Sequence, residues 1–252
     1  LPKQTDAIVV HGILRGTGLA IKEAIRKKID YFYIDHAYFN AGYKNEFWNR
    51  VSKNKHTMNY LKDVDELRWN SIKKDIKIEP WKKQKNRGDN ILIIPPTHAI
   101  QWFFNDKEWY KNLILFLSQK FDDKFLKKIK VRKKPNEPVV DNYGNLLGFR
   151  KTKIDYQPSL EEDLNNASIV IAYNSQVALE ATIKGIPVIV NENNSCKEIS
   201  FKLSDLNSNL NNPIFEKEPN RMKLFKWLSC CQFKMSELEN GSAWKFIEKF
   251  QN

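Results

Sequence analysis

Residues 167–194 combine a strand, a short polar turn and a helix that carries a carboxylate. The turn contains Asn174 and Ser175, either of which can cap the helix predicted for residues 176–184. Unpaired N–H groups and the positive end of the helix dipole favour an anion at such a helix start. Glu180 lies about one turn along the helix, within reach of a ribose whose phosphates lie at the cap. The stretch therefore predicts a site for a phosphorylated ligand.

The elements that must position this turn are two apolar, β-branched runs at residues 168–172 and 186–190. Both are typical of buried strands in a parallel sheet. Gly185 is expected to end the helix in a left-handed conformation, and Pro187 prevents the helix from resuming. An ordinary strand–helix–strand unit with a purely structural cap is the alternative interpretation of the same pattern.

A second strand–loop–helix pattern begins the chain, with a strand predicted for residues 6–10 and a helix for residues 19–28. The connecting loop contains Arg15, Gly16 and Thr17. Its backbone N–H groups are candidates to hold a phosphate. Gly16 and Thr17 are therefore candidates to bind the phosphorylated ligand. The loop lacks the dinucleotide-binding glycine spacing and the lysine of a P-loop. A flexible turn is the alternative.

Asp35 and His36 follow the apolar strand predicted for residues 31–35, at the strand end where open α/β sheets place their ligands. Removing a proton from a hydroxyl group requires a positioned base, and carboxylates and imidazoles serve as such bases. We predict Asp35, ahead of His36, as the catalytic base. His11 ends the neighbouring strand and is expected to share the same cleft. The alternative is that Asp35 and His36 only cap the following turn.

Between Lys44 and Arg87 the chain has 13 Lys or Arg residues against 6 Asp or Glu, within a total net charge of +12. The regular pattern fades between residues 42 and 86, and residues 37–40 are expected to add aromatic surface. Basic residues contact phosphates, and aromatic rings stack on unpaired bases. The aromatic and basic side chains of this region include Tyr43, Phe47, Trp48, Arg50, Lys53, His56, Tyr60, Arg68, Trp69 and Trp81. We call the substrate whose hydroxyl group loses its proton the acceptor. The residues predicted to bind it are His11, Arg15, Tyr38, Trp48 and Arg50. A solvated loop is the alternative.

The second half of the chain contains further regular elements. The apolar run at residues 90–94 predicts a strand, and residues 106–121 predict an amphipathic helix with Asp106 as its cap. Residues 128–135 predict a strand followed by a basic loop. Ser159 and the Glu three residues later have the pattern of a capping box. The tail predicts helices at residues 221–233 and 235–250, the second interrupted at Gly241, with their aromatic side chains in the core.

The composition, with 252 residues, 41% hydrophobic and 29% charged, is that of a globular protein. No apolar run approaches the roughly 20 residues of a membrane helix, and no secretory pattern begins the chain, so we expect a cytoplasmic protein without a membrane partner.

The cysteines Cys196, Cys230 and Cys231 lack metal-ligand spacing, and we expect buried thiols and no metal. The net positive charge suggests a polyanionic partner.

The segment N-S-x-x-A-x-E-A-x-x-x-G-I-P-V-I-V, from Asn174, resembles the donor-binding segment of GT-B glycosyltransferases, a segment that sugar-nucleotide epimerases of the same fold share. The resemblance implies that Ser175 and Glu180 contact a nucleotide sugar. The loop I-P-P-T-H resembles the first strand-end loop of the C-terminal GT-B domain, including the A-P-T turn of polyol-phosphate polymerases. Because that loop touches the donor phosphates, Thr97 and His98 are implied as donor-binding residues.

The segment KIKVRKKP resembles the R/K-x-H/K-P element of surface-polysaccharide transferases, in which a cation neutralises the leaving diphosphate. The resemblance implies this role for Arg132, Lys133 or Lys134.

The whole chain, including Y-I-D-H-A-Y-F and C-Q-F-K-M-S-E-L-E-N-G-S-A-W-K, resembles compact phage glycosyltransferase-like proteins. Some of these glucosylate hydroxymethylated pyrimidines in DNA. The implied reaction moves a hexose, glucose from UDP-glucose, to the hydroxymethyl group of a pyrimidine such as hydroxymethylcytosine. The acceptor base would leave the stack of double-stranded DNA.

The order of the elements and the resemblance together predict an α/β fold with two small Rossmann-like halves facing a cleft, GT-B-like with a reduced N-terminal half. The expected parts are residues 1–88 on the acceptor side, residues 89–235 on the nucleotide-sugar side, and residues 236–252 as a helix packing back on the first half. We expect a UDP-sugar as donor substrate, no permanently bound cofactor, no required metal and no obligate protein partner. Alternatives are a transferase building surface polysaccharide or polyol phosphate, and a non-catalytic DNA-binding protein on a degenerate GT-B fold.

Overall fold

The structure is a computed structural model that describes residues 1–2, 4–39, 48–58, 60, 66–151 and 158–250. Among the residues of the predicted aromatic and basic region, Asn40, Tyr43 and Phe47 lie outside these ranges. The chain divides into two compact units. Unit 1 comprises Leu1–Lys77, Asn142–Asn145 and Met222–Asn252, and unit 2 comprises Ile78–Asp141 and Leu146–Arg221.

Strands and helices alternate along most of the chain, which confirms the predicted α/β class. The strands are β1 (Ala7–His11), β2 (Asp30–His36), β3 (Trp48–Lys53), β4 (Asn90–Ile94), β5 (Ile129–Val131), β6 (Asn136–Val140), β7 (Leu146–Lys151), β8 (Ala167–Ala172), β9 (Val188–Val190) and β10 (Gln232–Lys234). The helices are α1 (Thr17–Lys27), α2 (Glu66–Ile72), α3 (His98–Phe104), α4 (Trp109–Lys120), α5 (Asp123–Leu126), α6 (Leu160–Asn165), α7 (Val177–Ile183), α8 (Arg221–Ser229), α9 (Met235–Glu239) and α10 (Ser242–Phe250). No helix of the described residues is long and apolar enough to cross a membrane.

Unit 1 contains a mixed four-stranded sheet in the order β1-β2-β3-β10. Strands β1 and β2 are parallel, whereas β3 pairs antiparallel with both β2 and β10. One face of the sheet is covered by α10, because Ala243 and Ile247 pack in one buried cluster with Val51 and Phe233. The C-terminal segment therefore supplies both an edge strand and a covering helix to unit 1.

Unit 2 contains a parallel four-stranded sheet in the order β5-β4-β8-β9 and a separate antiparallel hairpin, β6-β7. The residues of β8 are buried along its whole length, as expected of a parallel strand covered on both faces. Ile91, Ile93 and Ile169 form a core with Leu113 and Leu117 of α4. The apolar runs recognised in the sequence thus become the centre of this sheet.

Three local predictions in unit 2 are confirmed. Ser159 and Glu162 form a capping box at the start of α6. Residues 129–131 form the predicted strand before the basic loop. Gly185 follows α7 with φ of +73°, and a Cβ atom added there would lie 2.1 Å from the carbonyl oxygen of Pro80. The glycine is thus required both by its left-handed backbone and by the close approach of another segment.

Other boundaries were predicted wrongly, two of them because strand pairing decides them. The helix expected from residue 106 begins at Trp109, and the separate helix α3 precedes it. The helix expected for residues 221–233 ends at Ser229, since residues 232–234 pair with β3 as strand β10. The region expected to be irregular, residues 42–86, contains β3 and α2, because β3 finds partners in β2 and β10.

Candidate functional site

The carboxyl edge of the parallel sheet in unit 2 brings most of the predicted donor-binding residues together. The strand register pairs Ile93 with Val131 and Ile94 with Ala172, so β4, β5 and β8 end side by side. The loops that follow these strands contain Thr97, His98, Arg132, Lys133, Lys134, Asn174 and Ser175. The strand order reverses between β4 and β8, and open α/β sheets bind ligands outside such a reversal.

The loop after β4 is fixed by contacts inside unit 2. Thr97 caps α3, with its Oγ1 accepting a hydrogen bond from the Ile100 amide at 3.4 Å. The backbone N–H of His98 donates to Oε1 of Glu137 at 2.7 Å, and its Nδ1 accepts from the Val140 amide at 3.3 Å. The carboxylate of Glu137 therefore already occupies the first amide of α3, where a phosphate was expected.

The three cations after β5 are not equivalent. Arg132 donates to Oδ2 of Asp163 at 2.6 Å and to the carbonyl oxygen of Pro158 at 2.7 Å, so its guanidinium is engaged. Lys133 and Lys134 are exposed. Within the described part of the chain, Lys133 makes no ion pair, whereas Lys134 has an interaction of its own. Lys133 is therefore the cation with the fewest internal commitments.

The turn before α7 also bonds to itself. Oγ of Ser175 accepts from the Val177 amide at 3.2 Å, and its carbonyl oxygen accepts from Nδ2 of Asn194 at 3.2 Å. Ser175 thus serves the helix start, as predicted, although the formal cap position falls on Gln176. Asn174 is half-buried beside it.

Glu180 lies on the exposed side of α7. Although the residue is exposed overall, partial burial of the carboxyl group raises its pKa, and the nearby positive charges of Lys184 and Arg132 oppose that rise. No hydrogen bond to this carboxylate is seen among the described residues. Glu180 therefore keeps its capacity to accept hydrogen bonds from a ligand.

The glycine-containing loop of unit 1 closes on its own backbone. Gly16 adopts φ of +89° at the cap of α1. Oγ1 of Thr17 lies 2.9 Å from the carbonyl oxygen of Gly12 and 2.7 Å from that of Leu14. The Thr17 amide also donates to the carbonyl oxygen of Leu14, at 3.4 Å. Because Thr17 already bonds within the loop, its side chain holds the turn, while Arg15 remains exposed.

Asp35 belongs to a dense polar cluster in unit 1. Its Oδ2 accepts from the Tyr33 hydroxyl at 2.6 Å and from Nη2 of Arg50 at 3.0 Å, and Oδ1 accepts from the His36 amide at 2.8 Å. Burial alone would raise the pKa of Asp35, but Arg50, Tyr33 and the His36 amide together lower it to about 2. A carboxylate held this way is a weak proton acceptor near neutral pH.

His56 completes this cluster, although the sequence pattern placed it only in the basic and aromatic region. Its ring lies 4.6 Å from the Tyr33 ring. Burial, reinforced by the charge of Arg50, lowers the pKa of His56 to about 3, so the imidazole is neutral at physiological pH. Nε of Arg50 is itself buried without a hydrogen bond in the described chain. The cluster is thus a buried charge network rather than an open catalytic dyad.

Strand geometry separates the three residues that were expected to share a cleft. Successive side chains alternate between the two faces of a strand, so Asp35 and His36 point to opposite faces. His11 is paired in register with Ile34, and so it lies on the face of His36. His11 and His36 are both exposed. The structure therefore groups His11 with His36 and separates both from Asp35.

Two residues predicted to bind an acceptor lie in the core. Tyr38 is only 5% exposed, and its hydroxyl is bonded to Oγ1 of Thr57 at 2.9 Å and to the Met58 amide at 3.0 Å. Arg50 is buried because it pairs with Asp35 from the neighbouring strand. The aromatic surface expected for residues 37–39 is likewise wrong, since all three residues are buried.

Trp48 is half-buried in β3, with cations on its ring from both Arg68 and Lys234. The centroid distances are 5.2 Å for the Arg68 guanidinium and 5.4 Å for the Lys234 ammonium. Arg68 in turn pairs with Glu237. These internal contacts occupy the aromatic side chain that was expected to stack on an unpaired base.

A cavity of about 700 Å³ in unit 2 is lined by none of the predicted site residues. It opens beside α4, where Trp109 and Asn112 face the carboxyl ends of β8 and β9. The sequence pattern identified Trp109 only as a core residue and Asp106 only as a helix cap. The available signal was the polar pair Asn191 and Glu192 directly after β9, at the edge where such sheets bind ligands.

Among the residues that the structure describes, no three His, Cys, Asp or Glu side chains are grouped to hold a metal ion. The three cysteines are buried, and none forms a disulfide. No protein-family model matches the chain, and no curated protein sequence is significantly similar to it.

Proposed function

We propose that the chain is a nucleotide-sugar-dependent glycosyltransferase whose donor diphosphate binds at the carboxyl edge of the unit 2 sheet. The observation that supports this proposal is the strand order β5-β4-β8-β9, which reverses between β4 and β8. Ligands of open parallel sheets bind outside such a reversal, where loops from two strands diverge. The polar residues Thr97 and Asn174 lie in the loops that follow those two strands.

In this proposal Lys133 contacts the diphosphate, because Arg132 is committed to Asp163. Charge-assisted hydrogen bonds from a cation neutralise the leaving group and lower the barrier to its departure. Glu180 accepts hydrogen bonds from the ribose hydroxyls. Ser175 stabilises the turn that faces the diphosphate. Thr97 and His98 form a wall of the site, since Glu137 already occupies the His98 amide.

For the acceptor we propose the hydroxymethyl group of a modified pyrimidine in double-stranded DNA. Unit 1 contains 20 Lys and Arg against 12 Asp and Glu, whereas unit 2 contains 22 against 18. A concentration of positive charge favours a polyanion such as DNA. Of the predicted acceptor residues, His11 and Arg15 are exposed and able to reach a ligand.

The chemical step transfers the hexose from the diphosphate oxygen to the acceptor oxygen. The hydroxymethyl oxygen forms a bond to the anomeric carbon, the bond from that carbon to the diphosphate breaks, and the nucleoside diphosphate leaves with the electron pair. The hydroxyl proton passes to a base. We propose His36 for this role rather than Asp35, because the low pKa of Asp35 makes it a poor acceptor.

Two measurements test the proposal. Calorimetric titration with UDP and UDP-glucose is expected to show binding that Glu180→Ala weakens. A radiolabelled transfer assay is expected to show sugar incorporation into hydroxymethylcytosine DNA, with unmodified DNA as the control. His36→Ala should abolish transfer and preserve donor affinity, while Asp35→Asn should retain transfer in proportion to the folded fraction.

The same measurements separate the alternatives. Donor binding with no incorporation into either DNA would favour a transferase for surface polysaccharide or polyol phosphate. DNA binding that weakens steeply with salt, with no affinity for either nucleotide, would favour a non-catalytic DNA-binding protein. Absence of binding to nucleotide and DNA alike would overturn the proposed function.

A further inference from the structure

The cavity beside α4 is a second candidate binding site, separate from the loops proposed to hold the donor. Its lining includes Ile171 and Ile189, near the carboxyl ends of β8 and β9. Two aromatic side chains also line it, Trp109 from α4 and Phe201 from the segment after β9. The volume of about 700 Å³ is within the usual range for small-molecule sites. All of its lining residues belong to unit 2.

The charges around the cavity indicate which class of ligand it can hold. Asp106 and Glu192 carry negative charge, Lys197 and Lys202 carry positive charge, and Lys197 is paired with Glu192. The lining therefore has no excess positive charge with which to hold a diphosphate, and its carboxylates would repel one. A neutral ligand avoids this repulsion.

The contacts of Trp109 fix its ring before any ligand binds. The ring meets that of Tyr173 edge to face, with a centroid distance of 5.4 Å and an angle of 82°. The Tyr173 hydroxyl is hydrogen-bonded to Asp106. The pKa of Tyr173 is raised to about 12, mainly by burial and secondly by the negative charge of Asp106. A carboxylate has more acceptor positions than this one bond uses, so Asp106 can accept further hydrogen bonds. The site therefore offers a rigid aromatic ring next to an acceptor.

Asn112 supplies the complementary donors. It lies one turn along α4 from Glu108, lines the cavity, and makes no side-chain hydrogen bond within the described ranges of the chain. Its amide offers both a donor and an acceptor to a ligand hydroxyl. Trp109, Asp106 and Asn112 together match a ring that has an apolar C–H face and several hydroxyl groups.

We propose that this cavity binds a pyranose ring of a neutral saccharide. The C–H bonds of the sugar lie against the electron-rich face of Trp109, and its hydroxyl groups bond to Asp106 and Asn112. A nucleobase would also stack on Trp109, but it lacks the row of hydroxyl groups that can bond to Asp106 and Asn112. The site acts without a nucleotide and so does not depend on the proposed donor site.

Saturation-transfer NMR on the full chain tests this site. The probes are maltose and the methyl glycosides of glucose, galactose and mannose. We expect transfer to the ring protons of at least one probe, and a dissociation constant about tenfold higher for Asn112→Ala and for Asp106→Asn, each of which removes hydrogen bonding. Gln119→Ala, on an exposed position of the same helix, should match the wild type. UDP should not displace the saccharide.

Three results would overturn the saccharide site: no transfer to any probe, equal affinity in all variants, or displacement of the saccharide by uridine. Thermal unfolding of each variant confirms that a lost signal reflects binding rather than misfolding. Saccharide binding without UDP-glucose binding would reject the proposed donor site alone. UDP-glucose binding without saccharide binding would reject the cavity site alone.

Discussion

The carboxyl ends of β1 and β2 in unit 1 and those of β4 and β8 in unit 2 use their polar residues differently. At the first edge Asp35 is neutralised by a buried arginine, and Thr17 holds its own loop. At the second edge Arg132 and Ser175 are also committed internally, but Lys133 and Glu180 remain exposed beside them. A polar residue near a strand end is therefore a candidate for ligand binding only where the fold does not already use its side chain, as for the exposed Lys133 and Glu180.

The strongest test of this contrast removes the arginine of the unit 1 cluster. Arg50→Met should lower the free energy of unfolding by about 4 to 5 kcal/mol, because it leaves the partly buried Asp35 carboxylate without its counter-ion. Urea denaturation at neutral pH measures the change. The double variant Arg50→Met with Asp35→Asn should recover part of the loss. A loss of less than about 1 kcal/mol in the single variant would show that the pair is not a structural element.

The next effect concerns the pH dependence that His56 gives to unit 1. Its folded pKa of about 3 lies below the ordinary value of 6.5, so protonation favours the unfolded chain. This stability is complete above pH 6.5 and is lost as the pH falls towards 3, by about 5 kcal/mol in total. His56→Gln should flatten the unfolding free energy in this window. Asp35 acts lower, between its ordinary pKa and about 2.

Urea denaturation at closely spaced pH values between 7 and 3 distinguishes these contributions. An identical pH profile in wild type and His56→Gln would contradict the assignment of a neutral, buried imidazole. Asp35→Asn is the matched comparison, since its effect on the profile should be confined to the most acidic part of the range.

One glycine from each unit, Gly185 and Gly16, shows how strongly the surrounding backbone restricts a loop. The quantity compared is the loss of unfolding free energy on substitution by alanine. Gly185→Ala should cost about 3 kcal/mol, because the new Cβ would lie 2.1 Å from the Pro80 carbonyl oxygen at a positive φ. Gly16→Ala should cost only about 1 kcal/mol, since its φ is +89° but nothing lies within 4 Å of the added atom. Equal losses on chemical denaturation would mean that Pro80 does not constrain α7.

A further comparison concerns the carboxyl edge of unit 2 and leaves the fold unchanged. Lys133→Ala should weaken UDP-glucose binding about tenfold without a measurable change in unfolding free energy, because the exposed ammonium contributes to the ligand and not to the fold. Lys130→Ala, an exposed lysine of β5, is the control. Calorimetry that finds both variants equal to wild type would remove Lys133 from the proposed site.

The sequence predicted those features that local pattern determines. The buried strands β4 and β8 follow from continuous apolar runs, the capping box of Ser159 from its spacing to Glu162, and the left-handed Gly185 from its place after a helix. Each depends on neighbours within a few residues. Such signals located the carboxyl edge of unit 2 and most of the residues on it.

Features that depend on distant residues were not predictable. Strand β3 is recognised as a strand only through its pairing with β2 and β10, and Arg50 is buried only because that pairing places it opposite Asp35. Glu137 covers the His98 amide from 39 positions away. The cavity beside Trp109 likewise arises from the packing of α4 against a segment much later in the chain. Side-chain commitments of this kind decided which candidate residues remain able to bind.

A crystal structure of the protein with UDP-glucose tests the central claim most directly. We expect the diphosphate at the carboxyl ends of β4 and β8, within hydrogen-bonding distance of the Lys133 ammonium, with the ribose at Glu180. Nucleotide density in unit 1 or in the cavity beside Trp109, or an unoccupied edge at saturating nucleotide, would contradict it.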